Sequence, residues 1–126
     1  MDLRGIKITF PSAGPTQSST LTSKLDSWLQ SAILRDPVLG EIRTHRNQLD
    51  SEAQGGIAEL VIVGITEGTV VGTVAAITHL LTEPTGKVLL RQIAAWWLSN
   101  GQPELVAKSL DGEDLKIETE LKKNID

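Results

Sequence analysis

His45 and His79 are the only imidazoles in the chain, and an imidazole is the side chain best suited to metal ligation or proton transfer near neutral pH. Neither has a His, Asp or Glu neighbour at the spacing a metal ion needs, so no metal site is expected. The absence of cysteine excludes thiol nucleophiles, thiolate zinc sites and disulfides. Gly64, Gly68 and Gly72 do not fit the G-x-G-x-x-G phosphate loop. Gly86-Lys87 is followed by Val88 where a P-loop requires Ser or Thr, and no glycine stands five positions before Gly86. No serine occupies a G-x-S-x-G elbow. The acidic residues Glu113, Asp114, Glu118 and Glu120 read as a solvated face. The residue chemistry therefore supplies no catalytic group and no cofactor-binding group, and the chain is expected not to be an enzyme.

What the residues do offer is a surface for association. The longest apolar stretch, Ile57 to Leu81, is interrupted only by Glu59, Glu67 and His79. Read as a helix it is about 37 Å long, and Gly64, Gly68, Gly72 and Ala76 fall on one face at i, i+4 spacing. A ridge with so little side chain lets a second helix approach closely. Glu67 would be costly to bury without a partner, so it must reach solvent or meet a partner across an interface. Trp96 and Trp97 lie about 100° apart on a helix. Trp97 continues an apolar stripe and is expected in the core, which leaves Trp96 at a rim or an interface, where Trp is enriched. The expected interaction residues are thus Gly64, Glu67, Gly68, Gly72, Ala76 and Trp96.

The same stretch admits two other readings. Its many β-branched residues are poor helix formers, and two buried strands broken near Glu67 would accommodate them. A bilayer span is possible by length, but Glu67 sits near the middle and no Lys or Arg lies between Arg46 and Lys87 to anchor an end. The helix is preferred because strict alternation is absent and Ile57 and Leu60 open a 3 to 4 spacing.

The elements that must position these residues follow from periodicity. At 126 residues the chain is long enough for one domain with its own core, spanning residues 1–126. Its net charge of -4 argues against a nucleic-acid partner, whose phosphates need clustered Lys and Arg. The amino terminus carries no apolar run of signal-peptide length, so a cytoplasmic location is expected. Ile6, Ile8 and Phe10 alternate with Lys7 and Thr9 as a strand stopped by Pro11, followed by a loop. Leu21, Leu25, Trp28, Leu29 and Ile33 then mark a helix capped by Ser19 or Thr20, with Trp28 in the core, ending before Asp36-Pro37. Glu41 to Arg46 reads as a second strand whose charges suggest a sheet edge. From Thr85-Gly86, the residues Leu89, Leu90, Ile93, Ala94, Trp97 and Leu98 form the band of a last helix, stopped by Asn100-Gly101. Leu105 to Leu110 and Leu115 to Glu120 flank Asp111-Gly112 as a closing hairpin. The expected fold is α+β, a small mostly antiparallel sheet in the order β-α-β-α-α-β-β with its helices packed on one face.

The order of several short motifs carries a family resemblance. They are the opening IKITF, the helix with LDSWLQ, the DPVLGEIRTHR passage, EAQGG before the apolar stretch, AAWWLSNG, and the closing SLDGEDLKIE. Together they resemble the effector-associated constant component family of bacterial conflict systems, over nearly the whole chain. The apolar stretch is longer here than the family's usual run, with THLLTEPTGK added. The resemblance implies a non-catalytic adaptor or assembly component that needs no cofactor. Its expected partners are an effector or protease of the same system and further copies of itself in a homo-oligomer. The alternative function is a small effector whose apolar helix is released on activation, for example by proteolysis, and disrupts a membrane.

Overall fold

The computed structural model of the chain describes residues 5–11, 14–49, 57–64, 84–110, 112 and 114–123. The opening strand β1 (Gly5–Thr9) lies at the centre of the sheet. Its alternation works as expected: Ile6, Ile8 and Phe10 are buried, while Lys7 and Thr9 are only half-buried. On one side β1 pairs with β3 (Ile57–Val63), and beyond β3 lies β2 (Arg43–Leu49). On the other side it pairs with β4 (Val106–Ser109), followed by the two-residue β5 (Asp114–Leu115). The order is β2-β3-β1-β4-β5, antiparallel throughout. Register places Ile6 opposite Ile62 and Ser109, and Ile8 opposite Leu60 and Ala107. These side chains share the inner face, because residues two apart on a strand point the same way.

Helices cover that inner face, giving the α+β architecture. Among the described residues they are α1 (Pro15–Arg35), α2 (Pro84–Ser99) and α3 (Ile117–Lys123), with one 3-10 turn at Pro37–Leu39. Residues from all three helices join the inner-face side chains in one core. Helix α1 starts earlier than its apolar spacing suggests. Gly14 is the N-cap and Pro15 takes the first position, where the missing N–H costs nothing and the fixed φ favours the helix; Ser19 and Thr20 lie inside the helix. Ser18, Leu21, Thr22, Leu25, Leu29 and Ala32 form its buried stripe. The helix ends at Arg35, before Asp36-Pro37 as expected, and the Asp36 carboxylate accepts from the Val38 N–H at 3.0 Å to begin the 3-10 turn.

Three expectations are corrected here. The stretch from Ile57 opens as strand β3, not as a helix. Ala58, Leu60 and Ile62 face the core, but Val61 and Val63 on the other face are apolar too and half-buried. A strand with apolar residues on both faces loses the period-2 contrast that identifies a strand in sequence. The closing hairpin is likewise shorter than expected, its second arm ending at Leu115. Ile117, Glu120 and Leu121 are buried at i, i+3, i+4, the spacing of the helix α3 that follows. Trp28 is half-buried at the edge of the core rather than inside it, and its Nε1–H donates to Gln92 Oε1 at 3.1 Å. Trp28→Ala should accordingly cost about 1.5–2.5 kcal/mol in chemical denaturation, roughly half of what a fully buried tryptophan loses.

Trp96 is a fourth correction. It is 1% exposed and packs against Phe10 in a tilted pair with ring centroids 5.7 Å apart, while Trp97 is 3% exposed and its Nε1–H donates to the Pro103 carbonyl at 2.7 Å. Both tryptophans are core because α2 is covered over a wide arc. Its buried residues, from Gly86 to Trp97, span about 160° of the helix at 100° per residue, with Trp96 at one margin and Ala94 at the other. Leu98, expected in the band, is 47% exposed instead.

Candidate functional site

The two edges of the sheet are built differently. At one edge β5 pairs with Ala107 and Lys108 of β4 and ends after two residues. The chain then turns into α3, whose Glu118 carboxylate accepts from the Leu105 N–H at 3.4 Å. Lys108 and Asp114 add a cross-strand ion pair at 4.0 Å. A short strand and a bonded carboxylate are protections against edge pairing, and a cavity of about 570 Å³ lined by residues 105–108 and 114–119 opens beside them.

Among the described residues the opposite edge has none of these protections. Strand β2 runs for seven residues, and among the described residues no strand lies beyond it. Pairing with β3 runs along its whole length, from Arg43 opposite Val63 to Leu49 opposite Ile57. In an antiparallel ladder alternate residues of an edge strand turn their N–H and C=O groups outward. The sequence expectation of an edge here is met.

Side chains equip this edge with two arginines and an imidazole. Arg43, His45 and Arg46 are exposed, and the strand RTHRNQL contains no carboxylate. The Arg46 Nε lies 3.3 Å from the Asp26 carboxylate of α1, which also accepts from the Thr44 hydroxyl at 2.6 Å. Gln30 donates to the same Thr44 hydroxyl. These contacts fix β2 against α1. Arg43 instead donates to two backbone carbonyls, of Gly40 at 2.7 Å and Ile42 at 2.8 Å, neutral acceptors that leave its charge uncompensated.

A groove of about 400 Å³ runs between α1 and β2, lined by Ser19 and Thr22 on the helix and by Thr44, His45, Arg46 and Asn47 on the strand. The lining also includes Ala58 of the interior strand β3, so the groove opens onto the helix-covered face of the sheet as well as along β2. Thr22 is 1% exposed and its Oγ1 has no hydrogen-bond partner. A helical Thr normally satisfies that hydroxyl on a carbonyl one turn back, so an unpaired hydroxyl in the groove wall leaves hydrogen-bonding capacity unused at this edge.

Of the expected interaction residues, Gly64 and Trp96 lie among the described residues. Gly64 terminates β3 with φ +84°, and a Cβ there would stand 2.5 Å from the Glu41 carbonyl oxygen. It is a strand-end glycine required by local backbone geometry. Trp96 is core. Glu67, Gly68, Gly72 and Ala76 lie outside the described residues, as does His79. What sequence reasoning misses is the reach of β2, expected to end at Arg46; Asn47, Gln48 and Leu49 all pair with β3. Among the described residues no cluster of three or more His, Asp or Glu could hold a metal ion, and no helix is long and apolar enough to cross a membrane. No family model, curated protein or solved structure matches the chain.

Proposed function

We propose that the chain is a non-catalytic adaptor of a prokaryotic conflict system, acting in the cytoplasm by binding its effector along the edge of β2. The observation that carries this reading is the contrast between the sheet's two edges. One is shortened, capped by Glu118 and followed by a helix; the other offers seven residues of strand beside a polar groove. An edge strand presents ready-made backbone donors and acceptors, and adding a strand from a partner is a recurrent mode of recognition. The family resemblance supports the same class of function.

The membrane alternative meets an obstacle in the fold. A helix released from Ile57 onward would have to take β3 with it, and β3 lies between β1 and β2, paired to both. Its withdrawal would expose Leu60 and Ile62, which are 0% exposed, and break two ladders at once.

Co-expression with a candidate effector protein tests the proposal. The tagged chain should retain the effector on an affinity column. His45→Pro and Arg46→Pro fall on opposite sides of the pleat, so one removes an outward N–H and the other a ladder N–H. The variant that removes the outward N–H should keep its fold by circular dichroism and lose the effector. Full retention by that folded variant would reject β2 as the docking edge.

A further inference from the structure

We infer that the edge of β2 takes an extended, acidic segment of a different protein and not the same edge of a second copy. This rests on the reading of β2 as a docking edge and adds the chemistry of the occupant. If two copies paired β2 to β2, every cation of one strand would face the strand RTHRNQL of the other, which holds no Asp or Glu in any register. Registers centred on Arg43 or on Arg46 oppose that arginine to its own copy, and like charges directly opposite are destabilising. Self-pairing thus gains backbone bonds but meets cations that nothing on the facing strand can neutralise.

An acidic strand meets the opposite situation. Arg43 and His45 are two residues apart and so share one face of β2, about 6.6 Å from each other along the strand. A carboxylate of an added strand would sit opposite Arg43, and the His45 imidazole beside it offers a hydrogen-bonding group to the position two residues on. Asp26 cannot serve Arg43 in this way, because its carboxylate already holds Arg46 and Thr44, and Arg43 itself bonds only carbonyls. This positive edge belongs to a chain whose net charge is -4, so it runs against the molecule's overall field. Charge of this kind selects partners and speeds encounter more than it adds affinity. The unpaired Thr22 hydroxyl in the groove wall offers a further donor or acceptor to a side chain of the same segment.

The test uses the full ¹⁵N-labelled chain titrated with two seven-residue peptides, one alternating Val with Glu and one alternating Val with Lys. The glutamate peptide should shift the amides of residues 43–47 and of Ser19 and Thr22, while the lysine peptide should not. Arg43→Gln should weaken the glutamate peptide two- to fivefold, the range of an exposed ion pair, and raising the salt should weaken it in wild type. Equal response to both peptides, no response to either, or shifts confined to other strands would overturn the acidic occupant. Sedimentation of the peptide-free chain supplies the second arm: a dimer that dissociates in whichever of His45→Pro and Arg46→Pro stays folded would identify a second copy as the occupant. Failure of the underlying reading looks different, since the effector would then stay bound to both folded proline variants whatever the peptides do.

Discussion

Trp96→Ala should lower the unfolding free energy by about 3–5 kcal/mol, as much as Trp97→Ala and more than Trp28→Ala, when the three are compared by chemical denaturation. The indole is 1% exposed, packs on Phe10 and sits at the margin of the wide buried arc of α2. Replacement by Phe separates the two neighbours. Trp96 Nε1 is buried without a hydrogen-bond partner, so Trp96→Phe discards a donor that stabilises nothing, and its loss should come only from the smaller ring. Trp97→Phe additionally orphans the Pro103 carbonyl, now bonded at 2.7 Å, and should cost about 1–3 kcal/mol more. A small loss at Trp96→Ala beside a large one at Trp97→Ala would mean that Trp96 lies on the surface after all.

The second large effect is expected at Gly64. Its φ of +84° is a left-handed conformation, and an added Cβ would meet the Glu41 carbonyl oxygen at 2.5 Å, a backbone atom that cannot rotate away. Gly64→Ala should therefore cost about 1–3 kcal/mol, and Gly64→Val more, since a branched Cβ is worse tolerated there. Thermal unfolding at several protein concentrations checks this directly. The melting temperature should fall by the same amount at every concentration. A fall that disappears in dilute protein would instead restore Gly64 to an association surface, as its i, i+4 spacing with Gly68 suggests.

Much of the frame is legible in the amino-acid sequence. Ile6, Ile8 and Phe10 announce β1 because its outer neighbours Lys7 and Thr9 are polar, and Arg43, His45 and Arg46 announce an edge because an interior strand would bury such charges. Strand β3 is hidden for the converse reason. Being interior, it is apolar on both faces but for Glu59, and its Ile57 and Leu60 imitate helical spacing. Trp96 is misplaced by a narrow apolar stripe on α2, whereas Phe10, Trp28 and the loop at Pro103 widen the covered arc. The Asp111-Gly112 turn is readable, but not that β5 stops after Leu115, since Leu115 and Ile117 fit both a strand continuing and a helix beginning. The candidate edge is visible as charge, and its openness depends on what lies beyond β2 in space, which no spacing in the sequence encodes.

The most direct measurement is amide hydrogen exchange of the full chain with and without the effector proposed above. Alternate amides of Arg43–Leu49, those turned away from β3, should exchange rapidly in the free chain and slow at least about tenfold when the effector binds, while β4 and β5 remain unchanged. Binding that leaves the β2 amides as fast as before, with protection appearing on other elements, would contradict the account.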